Sequence, residues 1–299
     1  MQLMGTIVPM VTPIGDDRAV DTEALERFTE SLADAGVHGF FPASSIGEFP
    51  SLTDEENRRA IETVTRAAGD DATVLAGCCD TSVSDTVAKI DVAAAAGADA
   101  AVVVTPYYLG TRQAGLERFF RAVADEASLP VLMYNIPSLT SHSIDIETSR
   151  SLANHERIIG LKDTSGSLTY HSRLIEETPE EFTVFQGATE LATASLDVGT
   201  DGLIAGPANV FPEAMALLYE EHRAGRLAEA RRLFREIVMP VVTATSDVPT
   251  AAALKFLLSL DGRDVGGTLP PLPELTAPER DRLAACYERV DARARVVGR

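Results

Sequence analysis

Lysine is nearly absent. Only Lys89, Lys162 and Lys255 occur among the 26 cationic side chains of this 299-residue chain. Cations of any kind are outnumbered by 45 Asp and Glu, for a formal net charge of −19. Such a surface repels phosphate backbones, which removes nucleic acid from the expected partners. It suits solubility in concentrated salt, as in a halophilic host, although GC-rich codon usage would give the same Arg-for-Lys bias. Cysteine is scarce too. Cys78, Cys79 and Cys286 form neither a disulfide framework nor a zinc spacing, which fits a reducing cytosol. No apolar run approaches the ~18 residues of a membrane span, and the opening MQLMGTIVPMVTPIG lacks the basic start of a signal peptide. A cytoplasmic protein with no membrane partner is expected. The five histidines show no HxxxH spacing, so neither metal nor other cofactor is expected.

What is present is an alternation. Apolar runs at Gly5–Val11, Val37–Pro42, Thr73–Gly77, Ala100–Thr105, Val131–Asn135, Ile158–Lys162, Thr183–Gln186 and Gly202–Ala205 read as eight strands buried on both faces. Amphipathic segments lie between them, with helix starts such as Asp21 and Thr53. A faint repeat, Ala35–Gly39, Ala96–Ala100 and Val198–Gly202, places Gly where a helix must stop, then a polar residue, then a small one. Eight such units in about 220 residues predict an α/β fold, a (β/α)₈ TIM barrel over residues 1–224. An open doubly wound sheet is the weaker alternative, since no GxGxxG follows the first strand. Residues 225–299 read as a C-terminal helical appendage packed on the barrel, with helices at Leu227–Thr245, Thr250–Ser259 and Ala277–Ala294.

In a barrel, chemistry belongs at the C-terminal strand ends. There Lys162 closes the apolar run Ile158-Ile159-Gly160-Leu161. Burial disfavours an ammonium, lowers its pKa and makes the amine nucleophilic toward a carbonyl. A lysine snorkelling to the rim, or paired with Asp163, is the structural alternative. Tyr134, Tyr108 and Ser45 place hydroxyls at three other strand ends, as proton transfer to an imine requires. Lys89 and Lys255 fall in helices and read as structural, Glu48 and Asp163 as loop-fixing carboxylates.

Taken jointly, Ser45-Ile46-Gly47-Glu48, Pro106-Tyr107-Tyr108, Tyr134-Asn135-Ile136-Pro137 and Gly160-Leu161-Lys162-Asp163-Thr164-Ser165-Gly166 carry a family likeness. They resemble the motifs of the N-acetylneuraminate lyase/dihydrodipicolinate synthase family of class I, pyruvate-handling aldolases. The resemblance spans essentially the whole chain. It implies that Lys162 is the Schiff-base lysine, that Tyr134 moves protons at the substrate, and that Ser45 is the first hydroxyl of a paired-threonine motif. It also implies that Tyr108 is a relay reaching into a neighbouring subunit's site, within a homotetramer built as a dimer of dimers.

Three departures from the family pattern bear on the substrate. Ile46 stands at the second threonine, leaving backbone N–H groups to hold the substrate carboxylate. Leu139 stands where dihydrodipicolinate synthases usually carry an arginine for a second carboxylate. Thr189 replaces the aspartate of the sialic acid lyases' G-x-D-E, while Glu190 is kept. The remaining pattern resembles the 2-keto-3-deoxygluconate aldolases, which release pyruvate and glyceraldehyde, or glyceraldehyde 3-phosphate from the 6-phosphate. Ile46, Gly187, Glu190 and Ile204 are the residues expected against this 2-keto acid. The alternatives are 4-hydroxy-tetrahydrodipicolinate synthase, a sialic acid lyase or a keto-deoxy sugar acid dehydratase using the same lysine. A phosphate-binding barrel around Gly187 and Gly206 would leave Lys162 without a task. A silent binding barrel is at odds with intact Lys162, Tyr134 and Ser45.

Covalent capture tests this reading. Pyruvate with borohydride should add the mass of a reduced pyruvyl group at Lys162, and Lys162→Ala should gain none. EDTA should leave the capture intact, because the imine supplies the electron sink. Labelling at Lys89 or Lys255 would overturn the assignment.

Overall fold

Segments apolar on both faces must lie between two layers, and here one layer is the interior of a closed sheet. A computed structural model of the chain describes residues 3–69 and 72–297. Its strands are β1 (Gly5–Pro9), β2 (Gly39–Phe41), β3 (Thr73–Gly77), β4 (Ala100–Val104), β5 (Val131–Asn135), β6 (Ile158–Asp163), β7 (Thr183–Gln186) and β8 (Gly202–Ile204). All pair in parallel, in sequence order, and β8 returns to β1 with Gly5 opposite Gly202. The expected TIM barrel is observed. The helices between strands are α1 (Thr22–Asp34), α2 (Asp54–Ala68), α3 (Val83–Ala96), α4 (Gln113–Glu126), the single turn α5 (Pro137–Thr140), α6 (Ile146–Leu152), α7 (Leu168–Glu177) and α8 (Ala192–Asp197). The helix α9 (Pro212–Arg223) follows β8 and packs on β1.

Side-chain alternation along each strand makes two cores. Ile7, Phe41, Leu75, Val102, Leu132, Phe185 and Ile204 fill the barrel interior. Val8, Phe40, Val74, Val103, Met133, Leu161 and Val184 face the helices. Asp21 caps α1 through the Ala24 N–H, and Thr53 with Glu56 forms a capping box on α2, as the sequence predicts.

The repeat at the helix-to-strand passages has a physical reason beyond its glycine. Gly97 ends α3 at φ +89°, which a side chain would strain. The polar residue that follows then reaches sideways to the preceding strand. Asp99 accepts the Val74 N–H at 2.8 Å, Asp201 accepts Val184 N–H at 2.7 Å, and His38 Nδ1 accepts Thr6 N–H at 3.1 Å. Each satisfies a backbone donor near the start of its neighbour, where the ladder offers no partner.

After α9 come α10 (Leu227–Leu233), α11 (Met239–Thr245), α12 (Thr250–Leu260) and α13 (Ala277–Val297). The single helix expected over Leu227–Thr245 is interrupted by a π turn at Phe234–Val238. Pro240 lies just beyond and cannot donate an N–H to the turn behind it, so the winding widens there. Leu283, Cys286, Tyr287 and Val290 form the buried stripe of α13, with Tyr287 stacked on Phe211 at 5.9 Å. Among the described residues, no helix is long and apolar enough to cross a membrane.

The β8–β1 seam closes because both strands carry glycine there. A Cβ on Gly202 would lie 2.3 Å from the Gly5 carbonyl oxygen and 2.5 Å from the Phe185 ring. Gly202→Ala should therefore cost ~1–3 kcal/mol as an overpacked site. The check is a lower urea midpoint at unchanged slope.

Candidate active site

The register of β5, β6 and β7 sets Tyr134, Lys162 and Phe185 side by side. Alternation turns all three inward, since Leu161 and Met133 face the helices. Lys162 is 5% exposed, with its Nζ 4.0 Å from the centre of the Tyr134 ring and 5.0 Å from that of Phe41. Burial pulls the Lys162 ammonium down to about 7. A Cys79 thiolate would oppose this, but burial pushes that thiol up to about 11 and keeps it neutral. A large fraction of the amine is therefore uncharged near neutral pH and able to attack a carbonyl. Burial also raises the Tyr134 phenol, partly offset by the nearby hydroxyls of Thr164 and Ser45. The phenol thus holds its proton until a cation forms beside it.

A cavity of about 990 Å³ opens above these groups. Ser45, Ile46, Tyr134, Lys162, Gly187, Glu190 and Ile204, all singled out from the sequence, line it together. Gly187 is there because nothing larger fits: a Cβ would lie 2.1 Å from Thr164 Oγ1 and 2.9 Å from Lys162 Cε. The turn after β2 has a particular hydrogen-bond pattern. The N–H groups of Gly47, Glu48 and Phe49 are bonded within the turn, whereas those of Ser45 and Ile46 are not. Two adjacent free donors at the cavity wall make a site for a carboxylate.

Behind Lys162, Asp163 ties the strand ends together. Its carboxylate accepts from Asn135 Nδ2 (3.2 Å) and from the N–H and hydroxyl of Ser165 (3.0 and 3.2 Å). It also meets His171 Nδ1 at 3.2 Å, and that ring's Nε2 meets Thr200 Oγ1 at 3.1 Å. Asp163 thereby fixes β5 against β6 and the loop beyond. Among the described residues, no group of three His, Cys, Asp or Glu side chains is placed to hold a metal ion.

Tyr108 is the exception. It is 94% exposed, at φ +75°, and does not line the cavity. The strand ends at Val104, and Pro106 carries the chain outward before Tyr108 is reached. Tyr107, not Tyr108, packs against the interior cluster. Two parts of the site escaped the sequence. Thr164 Oγ1 is buried beside Lys162 and near the Tyr134 phenol, and period-two alternation from Lys162 was the signal for it. Thr243, Ser246 and Val248 also line the cavity, brought there from beyond the barrel by tertiary packing alone.

Comparison with known proteins agrees with this geometry. Residues 2–289 match the dihydrodipicolinate synthetase family model. The chain belongs to that family. It is accordingly an enzyme of the class I aldolase type, a carbon–carbon lyase. It is 34% identical to a 4-hydroxy-tetrahydrodipicolinate synthase of Methanopyrus kandleri, over 94% of each chain. An uncharacterised DapA-like lyase of Halobacterium salinarum is 35% identical, over 95% of this chain and 92% of that one. Among solved structures, YagE of E. coli K12, in complex with pyruvate, is 30% identical with a TM-score of 0.93. That match covers 97% of this chain and 99% of YagE.

The lowered amine sets a pH profile for the family chemistry. Imine formation needs neutral Lys162, so the rate of trapping by pyruvate and cyanoborohydride should rise through pH about 7 and level off by pH ~9. An ordinary lysine would still be climbing there. Tyr134→Phe removes one proton donor at little cost to packing and should lower turnover by ~10²–10⁴-fold.

Proposed function

We propose that this aldolase cleaves a 2-keto-3-deoxy sugar acid, 2-keto-3-deoxygluconate in the first instance, to pyruvate and glyceraldehyde. One observation carries the choice of substrate. Beyond Lys162 the cavity wall holds Ser138, Ser165, Thr189, Thr243, Ser246 and the Glu190 carboxylate and, among the described residues, no Arg, His or second Lys. Hydroxyls and one carboxylate suit a neutral polyol tail and offer little to a second anion. The same lining favours the unphosphorylated sugar acid over its 6-phosphate.

In this reading the free N–H groups of Ser45 and Ile46 bind the keto acid's carboxylate. Lys162 adds to C2, and Tyr134 gives its proton to the departing hydroxyl, leaving water, an iminium and a phenolate. The phenolate takes the C4 hydroxyl proton as the C3–C4 bond breaks, and the electron pair moves into the iminium to form an enamine. Glyceraldehyde departs. Tyr134 then protonates C3, and water hydrolyses the new iminium to free pyruvate and the amine. The Tyr134 and Phe41 rings under Nζ favour the iminium, a cation, as they would an ammonium. Pyruvate bound to YagE supports the keto-acid half of this scheme. Exposed Tyr108 and Leu109 at the barrel mouth support assembly of copies into a homotetramer, in which Tyr108 serves a neighbour's site. Three free, buried thiols are in keeping with a cytoplasmic enzyme.

The name of the Methanopyrus relative favours a second reading, condensation of pyruvate with aspartate semialdehyde. That substrate brings a second carboxylate, and Leu139 at the cavity rim offers it no charge. A charged hydrogen bond contributes about 1.5–3 kcal/mol. At high salt, kcat/KM for 2-keto-3-deoxygluconate cleavage should therefore exceed that for semialdehyde condensation by at least ~10-fold. Leu139→Arg should narrow the ratio. If the wild-type protein prefers the semialdehyde, the synthase reading replaces this one.

A further inference from the structure

Lys255 is among the least exposed charged side chains of the molecule, and nothing in the chemistry above uses it. It lies in α12, 3% exposed, with its Nζ 2.6 Å from Glu48 Oε1 and donating to the Gly267 carbonyl at 2.7 Å. Glu48 is 2% exposed and sits at φ +61°, immediately after the Ser45–Gly47 turn. Its second oxygen accepts the Leu269 N–H at 2.7 Å. Each partner thus has a hydrogen bond to a backbone group of the C-terminal segment and an ion pair with the other. Neither lines the cavity, although Ala251 and Leu254 of the same helix do.

Glu48 is the outer anchor of the turn that carries the two free N–H groups. On its inner side the turn is held by Thr12, just beyond β1, which donates to the Gly47 carbonyl at 2.8 Å, and it is braced internally by the Gly47 N–H donating to Ser44 Oγ at 3.0 Å. A Cβ on Gly47 would lie 2.9 Å from the Met10 carbonyl oxygen, so the turn is pressed against β1 and cannot shift inward. On its outer side Glu48 ties the turn to α12 through Lys255 and to the C-terminal segment through the Leu269 N–H. A buried carboxylate that leaves its ammonium is left desolvated and unpaired, so the pair resists separation. Burial lowers the Lys255 pKa while Glu48 acts against this, as expected where each charge is held by the other.

We propose that Glu48 and Lys255 are positioning residues, through which α12 holds the Ser45–Ile46 turn in the geometry that receives the substrate carboxylate. The C-terminal helices then set affinity for the keto acid, while the barrel supplies the chemistry. The inference rests on the keto-acid reading of the site, and the test separates the two.

Capture of the wild-type protein by pyruvate and cyanoborohydride is followed as a function of pyruvate concentration. If the wild-type protein is never captured, the keto-acid reading fails, and this inference with it. Glu48→Gln keeps an acceptor for Leu269 but leaves Lys255 unpaired, so the variant can fail to fold. The double variant Glu48→Gln, Lys255→Met removes both charges and leaves none stranded. In whichever variants give a wild-type near-UV spectrum, half-saturating pyruvate should rise at least ~10-fold, the scale expected when a binding group is misplaced by a fraction of an ångström. The capture rate at saturation should stay within ~3-fold, because Lys162 and Tyr134 are untouched. A folded double variant with wild-type half-saturation overturns the proposal. So does one whose maximal rate falls while half-saturation is unchanged, since the pair would then serve the fold alone.

Discussion

Dryness around one amine is the constraint on which the rest of the structure depends. Lys162 is lowered from 10.5 to about 7 by burial, which corresponds to about 5 kcal/mol against its charged form. The unfolded chain binds this proton up to its ordinary pKa, whereas the folded chain releases it above about 7. Stability from this group therefore rises with pH between 7 and 10.5, and the full penalty is present below 7. The barrel sustains that penalty because its two apolar cores supply far more burial than one amine removes. Tyr134 and Phe41 add ring faces that favour a cation at the same nitrogen, so the surroundings suit both an uncharged amine and a cation formed from it.

The barrel was legible because parallel strands buried on both faces leave a continuous apolar signature. The expected bounds of β3, β5 and β7 agree with the structure to the residue. The β2 run, expected from Val37 to Pro42, pairs only over Gly39–Phe41. His38 there turns its ring to the Thr6 N–H, and Val37 packs in the outer core, so neither continues the ladder. Lys162 and Tyr134 could be read as candidates because they stand together with Ser45 at strand ends and match the family motifs, and the structure brings all three to one cavity. Tyr108 could not be placed the same way. Its direction depends on a proline turn and a positive φ that no periodicity reports.

What sequence leaves hidden here is long-range. Thr243 and Ser246 reach the cavity, and Lys255 reaches Glu48, across some 200 residues of chain. No local pattern marks these meetings. The loop-fixing role expected of Glu48 follows from its place in the turn, but its partner does not. The buried His171 is similar: in sequence it is one polar residue of α7, and only the fold brings Asp163 and Thr200 to its two nitrogens.

The scarcity of lysine acquires a meaning from this arrangement. Surface pairs are made by arginine, as in Arg58–Glu62, Arg121–Glu117 and Arg173–Glu177, each within one helix. The three lysines lie elsewhere. Lys162 lines the cavity, Lys255 is sealed against Glu48, and Lys89, a quarter exposed, is clasped by Asp80 at 2.5 Å. A guanidinium stays charged in any surroundings and spreads its donors in a plane. An ammonium is compact, can be stripped of water and can lose its proton. Where a chain draws its solubility from acids and its surface pairs from arginine, a retained lysine marks a point at which that smaller, tunable charge is required. By that reasoning Lys255 belongs with Lys162, both being buried, one on the cavity wall and the other paired with Glu48 beside the turn that borders it.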